Sequence, residues 1–168
     1  FYYAGADVLF ISSIDFNAPY EIIKFNSSNE LYNILNQQKV NSDDILVMCA
    51  AVSDFICANP KDGKIKKDQM GDKIELKLNI DILKNLNLKC KKIGFKMEMD
   101  AKNALNNAKD MLKNKNLDAV CLNILGDDIK FGSHETKISF ITKDTVIQTS
   151  LAQKEIIASQ ITKLAKNI

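Results

Sequence analysis

Residues Ile45 to Lys67 read ILVMCAAVSDF, then ICANPKDG, then KIKK. An apolar run rich in Ile, Leu and Val ends in two small residues, Ala50 and Ala51, and a lone carboxylate, Asp54, follows. Asn59-Pro60 and Asp62-Gly63 are turn signals. Lys64, Lys66 and Lys67 then crowd four positions. The apolar run predicts a strand, Asp44 to Ala51, buried within a parallel sheet. Its end combines small residues, a carboxylate and a lysine cluster, the parts of a phosphate-and-metal site.

Outward from this stretch, the chain alternates between strand and helix patterns. Asp7 to Ser12 and Tyr20 to Phe25 are short apolar runs that predict strands. Ser27 or Ser28 can cap a helix through SNELYNILNQQK, whose Leu31, Ile34 and Leu35 share one face. Ser53 to Lys67 reads as loop, and Lys73 to Leu78 alternates like a half-exposed antiparallel strand. Asn79-Ile80-Asp81 begins a short helix through Leu86, and Lys92 to Phe95 is a brief strand. Ala101 to Asn114 is an amphipathic helix with Ala104, Leu105, Ala108, Met111 and Leu112 on one side. Leu117 to Leu122 is strand-like, Lys137 to Thr142 and Thr145 to Thr149 form a hairpin about Lys143-Asp144, and Leu151 to Ile168 is a closing helix. This order predicts a single α/β sandwich with a mainly parallel sheet and an antiparallel appendage. At the start, Phe1 to Gly5 reads as the last turn of a helix closing on a C-cap glycine, so sequence is expected to precede Phe1.

The bulk numbers exclude several classes. The 168 residues carry 23 basic and 21 acidic side chains, a near balance that argues against a dedicated nucleic-acid or membrane-surface protein. Every basic residue is Lys, so any anion site uses ammonium groups, backbone amides and helix ends rather than guanidinium forks. No apolar run reaches the ~20 residues of a membrane span, and FYYAGADVLF has no signal-peptide character. Cys49, Cys57, Cys90 and Cys121 form no C-x-x-C pair, and His134 stands away from them. Cys49, Cys90 and Cys121 read as buried reduced thiols of a cytoplasmic protein.

In an open parallel sheet, ligands collect at the carboxyl ends of the strands. Ala50 and Ala51 would admit a flat base or ribose, Asp54 would hold Mg²⁺ or a ribose hydroxyl, and Phe95 would stack on a base or wall the pocket. Lys64, Lys66 and Lys67 would close over a polyphosphate. Each residue also has a plainer reading. Asp54 could cap a turn, the KIKK cluster could be a solvated face, Phe95 could be core and Glu98 a surface acid.

The order of these motifs resembles the phosphopantothenate–cysteine ligase family of coenzyme A biosynthesis, commonly the C-terminal half of a bifunctional bacterial protein. An A-A-V-x-D strand end is matched by Ala50, Ala51, Val52 and Asp54, and K-I-K-K by Lys64 to Lys67. Asn79-Ile80-Asp81-Ile82-Leu83 stands for N-P-D-I-L, with Ile80 in place of the usual Pro. Gly94, Phe95 and Glu98 match G-F-x-x-E. Leu117, Asp118, Val120 and Asn123 match L-D-x-[IV]-x-x-N, and Phe131-Gly132-Ser133 keeps a G-F-G-S-like turn.

The resemblance implies a Rossmann-like three-layer sandwich whose antiparallel appendage, around Lys73 to Leu78, pairs two copies into a homodimer. It implies activation of the carboxylate of 4′-phosphopantothenate by CTP with Mg²⁺. An acyl-cytidylate forms, pyrophosphate leaves, and the amine of L-cysteine then displaces the nucleotide. Lys64 and Asp54 would be catalytic, Asp54 the metal ligand, and Ala50, Ala51, Asp54, Lys64, Lys66, Lys67 and Phe95 the nucleotide-binding set. FMN would enter only with a decarboxylase domain fused upstream. A Gly-rich turn and an S-N-x-S-S-G motif of the family have no counterpart after Phe1, so residues 1–168 alone are expected to be weakly active or inactive. Two other readings compete: a nicotinamide-dinucleotide-binding Rossmann module, and a non-catalytic fragment. No G-x-G-x-x-G is present, and a lysine loop is not how dinucleotide folds hold pyrophosphate.

Overall fold

A computed structural model describes residues 1–66, 73–126, 129–130 and 132–168. Lys67, Asp127, Asp128 and Phe131 lie outside the described residues. A 3₁₀ turn, Tyr2–Ala4, closes on Gly5, whose φ of 86° is the left-handed conformation that glycine adopts without a Cβ penalty. Strands β1 (Leu9–Ser12) and β2 (Glu21–Lys24) follow, then helix α1 (Ser28–Gln37). Ser27 caps α1, accepting from Glu30 N–H at 3.2 Å, and Glu30 accepts from Asn26 N–H at 2.6 Å. Next come β3 (Ile45–Met48), β4 (Phe55–Cys57), β5 (Leu76–Leu78), the short α2 (Ile82–Asn85) and β6 (Lys91–Glu98). Helix α3 (Ala101–Asn114), β7 (Ala119–Ile124), β8 (Glu135–Thr136), β9 (Ser139–Ile141), β10 (Val146–Gln148), β11 (Ala152–Gln153) and α4 (Lys154–Ala165) complete the chain.

Among the described residues, five strands form the central sheet in the order β10-β9-β7-β6-β3. The β3–β6 and β6–β7 ladders are parallel, and β9 and β10 add an antiparallel edge. β1 and β2 pair in parallel as a separate two-stranded sheet, β4 and β5 form an antiparallel ribbon, and β8 pairs with β11. The period-2 alternation of the strands sorts their side chains into two layers. Ile93, Ala119, Cys121 and Phe140 face α4 through its Ile157, Ile161 and Ala165. Val120, Leu122 and Ile141 face Ala104 and Ala108 of α3. Leu31, Leu35, Ile82 and Leu86 join α1 and α2 beneath β1 and β3. The result is the expected three-layer, Rossmann-like sandwich with a mainly parallel sheet.

Several boundaries and burials differ from the sequence reading. Ser53–Lys67 is not all loop, because Phe55–Cys57 pairs with Leu76–Leu78. A three-residue strand is too short for its alternation to stand out from a loop. β3 ends at Met48, and all four of its residues are only half-buried, because β3 lies at the edge of the five-stranded sheet rather than inside it. Leu9 and Phe10 of β1 are exposed for the same reason. Cys49, read as buried, is exposed just past the end of β3. α4 begins at Lys154, and its Ile156 points away from the packed face.

Candidate functional site

The parallel strands bring three loops to one edge of the sheet. Ala50 to Asp54 follow β3, Met97 to Met99 close β6, and Leu125 and Gly126 follow β7. Ala50, Ala51 and Asp54 are all exposed, with Val52 tucked back onto the α1/α2 cluster. This strand end is therefore an open shelf of small residues carrying one carboxylate.

The antiparallel ribbon is rooted in that shelf at both ends. β4 starts at Phe55, directly after Asp54, and β5 ends at Leu78, directly before Asn79. Asn79 ties the two roots together. Its N–H donates to Asp54 O at 2.8 Å and its Nδ2 to Ser53 O at 2.8 Å. Its Oδ1 accepts from Ser28 Oγ at 3.0 Å and from Ile80 N–H at 2.9 Å. One amide thus pins the Asp54 loop to the first turn of α1. At the far end of the ribbon, Ala58 N–H donates to Glu75 O, and the chain turns through Gly63 at φ +81°. Lys64 and Lys66 lie in this segment and are exposed.

Phe95 stands apart from the shelf. It sits midway along β6, half-buried, on the α4 face, where it lines a groove of about 350 Å³ with Val47 and Cys49. The larger cavity, about 480 Å³, lies at the carboxyl end of β7 beside the start of α3. Met99, Ala101, Gly126 and Lys137 line it, and none of Ala50, Ala51, Asp54, Lys64, Lys66 or Phe95 does. The shelf, not this cavity, carries the predicted residues.

Two residues do more than their sequence suggests. Glu98, read as a surface acid, is built in: Lys96 Nζ lies 3.1 Å from it and Asn107 Nδ2 donates to it at 2.9 Å. The Asn107 hydrogen bond, then Lys96, holds its carboxyl below the ordinary range, leaving a fixed anion at the end of β6. Asn79 is legible in the sequence only as a helix cap. Its reach to Ser28 and Ser53 is a long-range contact that spacing does not reveal. Other motif positions are structural. A Cβ on Gly94 would lie 2.8 Å from Leu117 and Met111 side-chain carbons, so this glycine lets α3 approach the sheet. Asp118 accepts from Lys92 N–H at 2.8 Å, at the opposite end of β6 from the shelf.

For metal, no group of three His, Cys, Asp or Glu side chains converges among the described residues. A lone Asp54 fits Mg²⁺ of the kind held by one carboxylate, waters and substrate phosphates, and does not fit a dedicated protein cage.

These features define a doubly wound α/β domain with an open shelf of small residues and one carboxylate at a strand end, in which a lysine-bearing ribbon is rooted. Residues 1–168 match the DNA/pantothenate metabolism flavoprotein C-terminal domain family, and the chain belongs to it. It is 30% identical over 166 residues to the coenzyme A biosynthesis bifunctional protein CoaBC of Haemophilus influenzae, covering 94% of this chain and 40% of that protein. The chain thus spans well under half the length of that relative. The solved C-terminal domain of a CoaBC protein superposes at TM-score 0.74 with 22% identity, over 98% of this chain and 76% of that one. A Cab2 mutant solved in complex with phosphopantothenate-cysteine superposes at TM-score 0.55 with 17% identity, over 88% of this chain and 55% of that one. Among the described residues, no helix is long and apolar enough to cross a membrane.

Proposed function

We propose that this domain joins 4′-phosphopantothenate to L-cysteine through an acyl-nucleotide intermediate, with CTP as the activating nucleotide. The observation that carries the reading is the rooting of the Lys64/Lys66 ribbon on both sides of the Asp54 shelf, tied by Asn79. Membership of the pantothenate-metabolism family and the fold shared with a protein solved with phosphopantothenate-cysteine support it.

In this reading the substrate carboxylate attacks the α-phosphorus, the bond to the β-phosphate oxygen breaks, and pyrophosphate leaves. The cysteine amine then attacks the acyl carbon, loses its proton and expels CMP. Charge grows on the departing pyrophosphate, so cations aimed there lower the barrier. Lys64 supplies that positive charge, with Lys66 and Lys67 holding the ribbon over the phosphates. Asp54 would hold Mg²⁺, which when bound neutralises phosphate oxygens. Ala50 and Ala51 leave room for the base or ribose against the backbone, whereas Phe95, on the α4 face, lies away from it. A decarboxylase domain with FMN on the same polypeptide fits the bifunctional relative. The ribbon doubles as a homodimer contact. Phe55, Leu76 and Leu78 share one of its faces and are all more than half exposed, which suits burial against a second copy.

Thermal shift of the complete gene product with Mg²⁺ and CTP, ATP or NADH tests this. Stabilisation by CTP that Lys64→Ala and Asp54→Ala each abolish is the expected result. Stabilisation by NADH alone would sink the ligase reading.

A further inference from the structure

The hollow of about 480 Å³ at the carboxyl end of β7 has two unlike walls. One wall is apolar. Leu122 and Ile124 lie two apart on β7, so they share its α3 face, where they pack toward Ala104 and Ala108. Met99 and Ala101 border the hollow at the entry to α3, and Ile129, 3% exposed, adds to its apolar lining. The other wall is polar and comes from the β9–β10 edge. Ser139 stands opposite Leu122 on one side and Gln148 on the other, so these three side chains share one face of the sheet. Lys137, two residues before Ser139, lines the same hollow. An ammonium, a hydroxyl and a carboxamide are thus brought together. Among the described residues, none of these three side chains is engaged in an ion pair or a side-chain hydrogen bond. Thr149 beside them is already used, since its hydroxyl accepts from Ile138 N–H at 3.0 Å. Among the described residues, no carboxylate lines the hollow.

We propose that this hollow binds an aliphatic monocarboxylate, with its carboxylate on Lys137, Ser139 and Gln148 and its hydrocarbon body along Met99, Leu122 and Ile124. The ammonium sets the sign of the ligand's charge. One ammonium beside two neutral donors matches a single negative charge spread over two oxygens. A phosphate dianion draws instead on several cations or on a nest of backbone N–H groups. The first turn of α3 does not serve the anion, because Asp100 already caps it, accepting from Lys102 N–H at 2.9 Å. The carboxylate therefore belongs at the β9–β10 edge and the chain toward α3. The apolar wall makes chain length part of recognition, since each fully buried CH₂ tightens binding about fourfold. The volume lies within the usual range of small-molecule sites. None of Ala50, Ala51, Asp54, Lys64 or Lys66 lines the hollow, so this site is separate from the shelf and stands whether or not the ligase reading does.

Methyl NMR of the complete gene product, labelled at its methionines and titrated with hexanoate in the absence of nucleotide, tests it. The Met99 methyl is expected to shift saturably, and hexanoate to bind at least about fourfold tighter than butanoate. Hexylammonium, with the same chain and the opposite charge, should give no saturable shift. Lys137→Gln is expected to weaken hexanoate about 10-fold or more, the worth of one hydrogen bond to a charged group. Lys137→Arg, which keeps the charge, should bind it nearly as tightly as the parent. A Met99 methyl that never shifts saturably with hexanoate overturns the proposal. Equal responses to hexanoate and hexylammonium also overturn it, because they mean apolar adhesion without recognition of charge. Unchanged hexanoate affinity in Lys137→Gln overturns it by placing the carboxylate elsewhere.

Discussion

Asn79 shows how much one amide can organise. It uses its backbone N–H, both side-chain functions and a position between ribbon and helix to hold Ser53, Asp54 and Ser28 together. Asn79→Ala keeps the backbone bond to Asp54 O but leaves Ser53 O and Ser28 Oγ without their Asn79 side-chain partner, and should cost about 1 kcal/mol. Asn79→Asp keeps the acceptor for Ser28 and Ile80 but loses donation to Ser53 O, so it should cost less. Both variants should shrink the CTP-dependent thermal shift, because the loop carrying Asp54 loses the side-chain bond at Ser53 O. Urea denaturation together with the CTP shift in the complete gene product separates the two effects. An unchanged CTP shift in Asn79→Ala would show that Asp54 needs no such tether. Gly94 and Asp118 teach the complementary lesson. Both fall in family-like motifs, yet one makes room for Leu117 and Met111 and the other closes the far end of β6. A residue in a motif can be there for packing.

At the scale of elements, the β4–β5 ribbon is the part whose sequence pattern and burial disagree most. Alternation in Lys73 to Leu78 predicts a strand with one wet face. Yet Leu76 and Leu78, with Phe55 opposite, form an apolar face that is itself exposed. An isolated two-stranded ribbon is marginal in water, so a second surface against that face would stabilise it. Leu78→Glu is expected to shift the complete gene product toward monomer by at least tenfold in dissociation constant, since a charge buried at such a contact costs more than about 1.4 kcal/mol. Sedimentation velocity over a concentration series reads this out. An unaltered dimer in Leu78→Glu would place the contact elsewhere.

The molecule as a whole is held by the central sheet, and a buried thiol there makes its stability fall at alkaline pH. Cys121 is fully buried between β6 and β9, and burial, then the nearby Cys49, pushes its thiol from the ordinary 9.0 up to about 12. Cys49 is pushed up to about 11 by burial of its thiol in the α4 groove, although the residue as a whole is exposed. The folded state therefore holds the proton that the unfolded chain releases. This contribution is fully present below pH 9 and is lost as pH rises toward about 12, with a slope of at most about 1.4 kcal/mol per pH unit for Cys121. Cys121→Ala should start less stable near pH 8 from the small cavity, and its stability should then fall less steeply with pH. Equal slopes between pH 9 and 11 in urea denaturation would contradict this.

Much of this architecture is legible in the amino-acid order. The α/β class, the parallel strand leading to Ala50–Asp54, the limits of α3 and the β9–β10 hairpin follow from local periodicity and turn chemistry, which act over a few residues. Strand position does not. Ile45–Met48 and Leu9–Ser12 have the composition of central strands, yet β3 is an edge of the five-stranded sheet and β1 stands outside it. Composition records the burial a strand is built for, whereas its neighbours in space decide the burial it has. The same holds for the site. The sequence placed Asp54 and the lysines in order along the chain and determined their chemistry. Only the tertiary structure decided that Asn79 clamps the shelf, that Glu98 is held by Lys96 and Asn107, and that Phe95 faces the α4 groove, because those contacts join residues far apart in the chain or on separate elements.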